Sequence, residues 1–411
     1  MKKEIASKKL AVTVLSLSLL TVMAGAAVAP ALGVIEQHFA GDNKLLIQMI
    51  ISIPAIFIVF TNMAFPKLCK HIKSKTLVLA GLLLYTIGGC AAGLFSSIYA
   101  VLAARALVGV GVGIVMPMST GLLAFYFAAE EQQKYMGYSS AMNQMGGVIA
   151  TLLSGLLAGI SWRASFLVYL MGLLSIVLCL IFLPNHRIQS EESHVSENAF
   201  KEYSPFVVAM FLLMVTFFIY PSNFAMETLA AGVIPQGLIS VVMAGMDFVA
   251  FFGGLLFVQV VKRMKDKTRL VAPALFLAGY ILLVFPGGWV GTLAGSVCIG
   301  FANGLGVPFI ISTASRKAGK AAATTVMPLI SMALYLAQFL TPVIMSGVRA
   351  GFGSLGIAHL PYFMAMVTAA LFLIWSAAAI KIPSEQRQKI LTMKYNDEQN
   401  NARATEKASI D

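Results

Sequence analysis

Two charged side chains stand well inside long apolar stretches of this 411-residue chain, and chemistry is sought there first. Asp247 lies near the middle of one stretch, within Gly245-Met246-Asp247-Phe248. Arg105 lies about seven residues into another, roughly 10 Å along a helix that rises about 1.5 Å per residue. At membrane depth a charge costs about 2.5–3.5 kcal/mol even on lenient insertion scales, so each is a functional candidate by default. A carboxylate can relieve that cost by taking up a proton, which a proton-coupled cycle needs; it can equally neutralise a cationic solute or partner another polar group. The guanidinium of Arg105 could pair with a buried carboxylate, hold an anion through two parallel hydrogen bonds, or tether backbone carbonyls. An Arg105–Asp247 pair is one arrangement the spacing allows.

Uncharged polar side chains inside the same stretches form a second tier, because an amide in hydrocarbon must find partners or line a cavity. Asn143, Gln144 and Gln338 are read as contacts of a solute cavity; Asn62, Tyr220, Asn223, Asn303 and Tyr335 are read as packing groups. Glu36, Glu227, His38 and His359 fall at the ends of stretches and are read as rim residues facing water. No HExxH and no Cys/His cluster occurs, so neither metal nor cofactor is implied. Cys69, Cys90, Cys179 and Cys298 are read as ordinary small residues without a disulfide. Gly-x-Ser-x-Gly and Gly-x-x-x-x-Gly-Lys-[Ser/Thr] are both absent, so no enzyme and no ATP drive are expected.

The elements that must position these residues are helices long enough to cross a bilayer. The chain is 59% hydrophobic and 11% charged, with mean hydropathy +0.85, which a water-soluble fold of this size would not carry. Apolar runs predict twelve spans near 10–36, 45–65, 76–95, 98–127, 136–160, 164–183, 204–229, 234–261, 270–287, 289–315, 322–348 and 358–381. All but four of the 29 Lys and Arg fall in the two tails and the even-numbered gaps; the exceptions are Lys44, Arg105, Arg163 and Arg349. Positive residues stay on the cytoplasmic side, so both termini are placed inside. The net charge of +12 is thereby assigned to topology and anionic headgroups rather than to nucleic acid. Lys2, Lys3, Lys8 and Lys9 ahead of the first run resemble a signal peptide, but the run continues to about Ile35, long enough for the roughly 30 Å core, and a retained helix is the reading adopted.

The polar segment 184–203 divides the chain into an N-terminal bundle over 1–183 and a C-terminal bundle over 204–383, with 384–411 read as a cytoplasmic tail. The halves echo one another. Gly109, Gly111, Gly113 and Pro117 in the fourth span answer Gly300, Gly304, Gly306 and Pro308 in the tenth. Parallel repeats about an axis normal to the membrane are one plan of secondary transporters. The fold class expected is an all-α membrane protein of two six-helix pseudo-repeats.

This pattern resembles the major facilitator superfamily, at motif level its twelve-span drug:proton antiporter and sugar-efflux-like branch. The residues that carry the likeness are Pro30-Ala31-Leu32-Gly33-Val34-Ile35, Arg105 with Gly109 and Gly111, and Trp162-Arg163. Two departures stand beside it. Lys70 occupies the place of an acidic residue in the loop motif, within Pro66-Lys67-Leu68-Cys69-Lys70, and Ala150-Thr151 stands where the antiporter motif has Gly-Pro. The resemblance implies alternating access, with the span-four arginine associated with proton coupling or substrate. The expectation is therefore a monomeric carrier in the cell membrane that exports a small hydrophobic or amphipathic solute, with protons as coupling ion. Uptake of a sugar or metabolite is the alternative. A membrane-embedded enzyme or a non-transporting sensor is the reading from another class.

Overall fold

Inside a bilayer a backbone without water must satisfy its own hydrogen bonds, and the apolar runs do so as helices. The structure is a computed structural model describing residues 8–127, 129–187, 197–285, 288–318, 326–357 and 359–380. Helix α1, Lys8–Ala26, breaks at a turn because Pro30 lacks the N–H that would continue it; the 3-10 turn Ala29–Ala31 and a short helix Leu32–His38 finish the crossing. Helix α2, Lys44–His71, starts at Asn43, whose side-chain oxygen accepts from the Leu45 N–H at 2.9 Å. There follow α3 (Ser74–Ala92), α4 (Ile98–Tyr126) and α5 (Ala129–Ala158). The sixth crossing opens as the 3-10 segment Ala164–Leu170 and ends as α6, Met171–Phe182. The second half comprises α7 (Glu197–Ala231), α8 (Gln236–Met264), α9 (Thr268–Val284), α10 (Gly288–Ala318), α11 (Met327–Phe352) and α12 (Leu360–Ala379).

By length and hydropathy these elements form eleven candidate spans, one of which, Gln236–Val284 with 49 residues, holds both α8 and α9. Lys265, at φ 48°, lets the chain reverse between them. The twelve expected crossings are therefore all present among the described residues. Several boundaries differ from the expected ones. The fifth helix starts at Ala129 because the polar stretch from Glu130 to Lys134 is carried as a helical extension of the apolar run. For a similar reason α7 starts at Glu197, so the polar segment expected over 184–203 is helical in its last part. Residues 188–196, and the tail expected over 384–411, lie outside the described residues.

Small residues set how the helices meet, since packing and close backbone approach replace the hydrophobic drive between helices in lipid. Gly109 of α4 faces the Pro54 backbone of α2, and Gly111 faces Gly81 and Tyr85 of α3. In the second half Gly304 of α10 faces the Ala250 backbone of α8, and Gly295 faces Gly279 of α9. The echo in the sequence is thus an echo in packing: α4 lies on α2 and α3 as α10 lies on α8 and α9. Leu174, Ile181, Leu255 and Ile374 project from the outside of the bundle, where lipid would cover them. The halves meet along α2 with α11 and α5 with α8.

Candidate functional site

Between the halves lies a cavity of about 1140 Å³. On α2 its wall runs from Ile51 to Lys67, about 24 Å at 1.5 Å per residue. Lys67, Thr120 and Met332 are exposed at its mouth, and Ile51 and Ala29 are buried at its far end. Met63, Met116, Met214, Met243, Met246, Phe217 and Phe218 supply much of an apolar lining suited to varied shapes. Among the described lining residues, Asp247 is the only acid and Lys67 the only base.

Asp247 is half-buried on α8 and turns toward α5 of the other half, where the Thr151 hydroxyl donates to its Oδ2 at 3.2 Å. Gly147, one turn earlier on α5, leaves room for it: a Cβ there would stand 3.8 Å from the same oxygen. Thr151 is one of the two residues that depart from the antiporter motif. The departure has a physical sense here, because proline in its place would offer no hydroxyl to the carboxylate.

Asn143, Gln144 and Gln338 all face this cavity. Asn143 Oδ1 accepts from the Thr21 hydroxyl of α1 at 2.6 Å. Gln338 lies against α1 near its break, where a Cβ on Gly25 would stand 3.4 Å from Nε2. Sequence reasoning assigned Asn62, Asn303 and Tyr335 to packing, and the structure corrects this: all three line the cavity. The Tyr335 hydroxyl donates to Met116 Sδ across the halves. Asn62 Oδ1 and Asn303 Oδ1 are buried without a hydrogen-bond partner. Helical position alone does not reveal this, since which face of a helix meets the other half is a tertiary property. Tyr220 and Asn223 are packing groups as expected, bonded respectively to Ser296 at 2.7 Å and to the Ile219 carbonyl at 2.8 Å.

Arg105 takes no part in the cavity wall and does not meet Asp247. It is fully buried, and its Nε donates to the Ile50 carbonyl at 2.7 Å, one terminal nitrogen to the Ala24 carbonyl at 2.5 Å and the other to the Tyr169 hydroxyl. The Tyr169 hydroxyl also donates to the Ala24 carbonyl, at 2.7 Å. The reason lies in the break of α1. Val28 N–H bonds back to Gly25 rather than to Ala24, so the Ala24 carbonyl needs donors from elsewhere. Of the readings open from sequence, the tether is the geometry observed.

The end of the interface remote from the mouth is closed by a polar cluster. Lys44 lies 3.1 Å from Glu36 and 3.9 Å from Glu227, and His359 Nδ1 lies 3.5 Å from Glu227. Beneath them Gln48, fully buried, donates to Asn223 Oδ1 at 2.6 Å and to the Ser222 carbonyl at 3.2 Å, and accepts from Arg349 at 2.6 Å. Glu36, Lys44 and Gln48 belong to the first half; Asn223, Glu227, Arg349 and His359 belong to the second. Glu36 and Glu227, read from sequence as rim residues in water, thus share Lys44, whose contact with Glu227 crosses the seam, and His359 lies against Glu227 within the second half. The four basic residues outside the charge pattern are also explained. Lys44 and Arg349 belong to this cluster, Arg105 is the tether, and Arg163 bonds Ser96 at 2.9 Å with its guanidinium 4.5 Å from the Trp162 ring.

Comparison with known proteins agrees with this geometry. The model of the Major Facilitator Superfamily matches residues 14–342. The riboflavin transporter RibZ of Clostridioides difficile (strain 630) is 24% identical over 158 residues, 37% of this chain and 35% of the relative. The putative multidrug resistance protein MdtD of Escherichia coli (strain K12) is 23% identical over 158 residues, 38% of this chain and 34% of the relative. The chain thus spans about a third of the length of the curated relatives it matches. Among solved structures, the nucleoside transporter NupG superposes with a TM-score of 0.75 at 13% identity, covering 90% of this chain and 100% of that one. A D-xylose-proton symporter superposes at 0.69 with 14% identity, covering 92% and 99%.

Proposed function

The chain belongs to the Major Facilitator Superfamily, whose members are carriers rather than enzymes, and from that premise we propose that it is a proton-coupled secondary transporter exporting a small amphipathic organic solute by alternating access. One observation carries the reading: among its described lining residues, a largely apolar cavity between the halves holds a single acid, Asp247, at the seam of α5 and α8. In that position the carboxylate faces the solute space and contacts the half that must move against its own. Proton binding at Asp247 and solute occupancy can therefore both bias the rocking of the bundles. Asn143, Gln144 and Gln338 are the proposed solute contacts, and Arg105 acts on the cycle only by holding the break of α1 beside the wall at Ala24 and Gly25.

Orientation is read from the charge pattern, and export is the direction proposed. Lys and Arg assign the mouth near Lys67 to the cytoplasm and the Glu36–Lys44–Glu227 cluster to the outside of the cell membrane, with both termini inside. A cavity open to the cytoplasm and sealed outside is the state in which an exporter would load its solute and an importer would release it. Import of a sugar or metabolite is supported by one feature only, the cavity amides Asn62, Asn143, Gln144, Asn303 and Gln338. The test is flux into or out of proteoliposomes under an imposed pH gradient. Wild-type protein should drive solute against its gradient, and Asp247→Asn should lose coupling while still equilibrating solute. Undiminished proton-driven flux in the variant sinks the role of Asp247.

A further inference from the structure

The amides in the cavity wall are not equivalent. Asn62 Oδ1 and Asn303 Oδ1 are buried, whereas Asn143, Gln144 and Gln338 are partly exposed where they line the cavity. Among the described residues, nothing hydrogen-bonds to the side chain of Gln144 or Gln338. Asn143 Oδ1 accepts from the Thr21 hydroxyl at 2.6 Å, which leaves the Nδ2 hydrogens free. Two of these amides come from opposite halves and meet one face of α1. Asn143 of α5 sits at Thr21, and Gln338 of α11 sits at Gly25, where a Cβ would stand 3.4 Å from Nε2. Thr21 and Gly25 both line the cavity. They are one helical turn apart, so the two amides reach α1 roughly 6 Å apart along its axis. Arg105 holds the Ala24 carbonyl beside Gly25, which fixes the wall between them.

A side-chain amide carries a donor and an acceptor in one plane, and it uses both at once only where a ligand offers an acceptor beside a donor. A lactam edge, N–H next to C=O, is that complement. An ammonium brings only donors and a carboxylate only acceptors. A sugar has hydroxyls around its whole rim, and several would be buried unpaired against phenyl and thioether groups. We propose that the solute is an uncharged, planar fused heterocycle whose lactam edges are read by Asn143 and Gln338 from the two halves, with Gln144 as a third polar contact. This rests on the reading of the cavity as the solute pathway and narrows it to a substrate class. A six-membered dione ring has two lactam edges on adjacent sides, which suits two amides about one turn apart. Its flat faces find Phe217, Phe218 and Met116, all partly exposed in the cavity wall. A solute without charge leaves the proton taken up at Asp247 unbalanced. Each cycle then moves one positive charge inward, and a negative-inside membrane potential drives export even without a pH gradient.

The experiment uses the purified full-length chain in detergent and probes of matched size: a three-ring benzoquinazoline-dione with two lactam N–H groups, its N,N′-dimethyl derivative, a three-ring arylalkyl amine and the corresponding carboxylic acid. The dione should bind roughly tenfold more tightly than the dimethyl form, by the worth of two neutral hydrogen bonds. Gln338→Leu should cut that ratio to about threefold, and Asn143→Leu added to it should abolish the ratio, while binding of the dimethyl form reports an intact cavity. Equal binding of the dione and its dimethyl form by the wild type overturns the proposal without any variant being needed. So does an amine or acid that binds more tightly than the dione. In proteoliposomes with equal pH on both sides, an imposed membrane potential should drive the dione; proton-driven dione flux that ignores the potential also overturns the proposal. Proton-driven flux abolished by Asp247→Asn, together with no discrimination between dione and dimethyl form, would defeat this inference and spare the transport reading. Discrimination in binding without any driven flux would do the reverse.

Discussion

Gln48→Leu is the perturbation that most directly tests how the outer end is held shut. The wild-type side chain makes three hydrogen bonds across the seam, to Asn223 Oδ1, to the Ser222 carbonyl and from Arg349. One of these involves a charged partner, worth about 1.5–3 kcal/mol, and two are neutral, worth about 0.5–1.5 kcal/mol each. Leucine keeps the volume approximately and removes all three, leaving the Arg349 guanidinium and Asn223 Oδ1 short of partners only while the seam is closed. When the seam opens, water satisfies both groups, so the loss falls on one state. Allowing for non-additivity, the closed state loses about 2–4 kcal/mol, which shifts the two-state ratio roughly 30- to 900-fold toward opening at that end. The assay places a single cysteine at Ile51, a buried residue of the cavity's far end, in a chain whose four native cysteines are replaced, and measures labelling by an impermeant thiol reagent added outside intact cells. The rate should rise steeply in Gln48→Leu relative to the Gln48 background. An unchanged rate in protein that folds and reaches the membrane would refute the idea that these bonds set the equilibrium.

Arg105→Met should lower thermal stability by about 2–4 kcal/mol, because the carbonyls of Ala24 and Ile50 and the Tyr169 hydroxyl lose a charged donor; a variant that unfolds at the wild-type temperature yet loses proton coupling would restore the coupling role read from sequence. Gly304→Val forces α10 away from the Ala250 backbone, and a steep fall in folded yield is expected in detergent chromatography, by more than the 1–3 kcal/mol of ordinary overpacking; yield equal to wild type would contradict the close contact. Asn185→Cys, on an exposed position after α6, should react with impermeant reagent only in inside-out vesicles; reaction from outside intact cells would invert the proposed topology.

How much of this was legible beforehand depends on the range over which each signal acts. Span number, helix class and the two-repeat plan rest on local runs of apolar residues and on glycine rows, and the structure places Gly109 and Gly304 where the echo between halves requires. Asp247 was legible for the same reason, since a carboxylate within an apolar run is anomalous without any knowledge of its neighbours. Asn62, Asn303 and Tyr335 were misread because a polar residue inside a span looks the same whether it faces a cavity or another helix. Glu36, Lys44, Glu227, Arg349 and His359 come from distant segments, and no spacing in the chain marks them as one cluster. Thr151 was visible only as a departure from a motif, and its hydroxyl gained meaning when α8 brought Asp247 beside it.

Sequence by itself determined that this chain crosses a membrane twelve times, that its halves repeat and that one acid lies at depth, because lipid imposes its demands on each span separately. Tertiary structure alone decided that Arg105 is spent on the break of α1, that Asn62, Asn303 and Tyr335 line the cavity, and that the far end is closed by a polar cluster drawn from both halves. Those properties depend on which faces of separate helices meet, and that choice is made by packing among segments hundreds of residues apart.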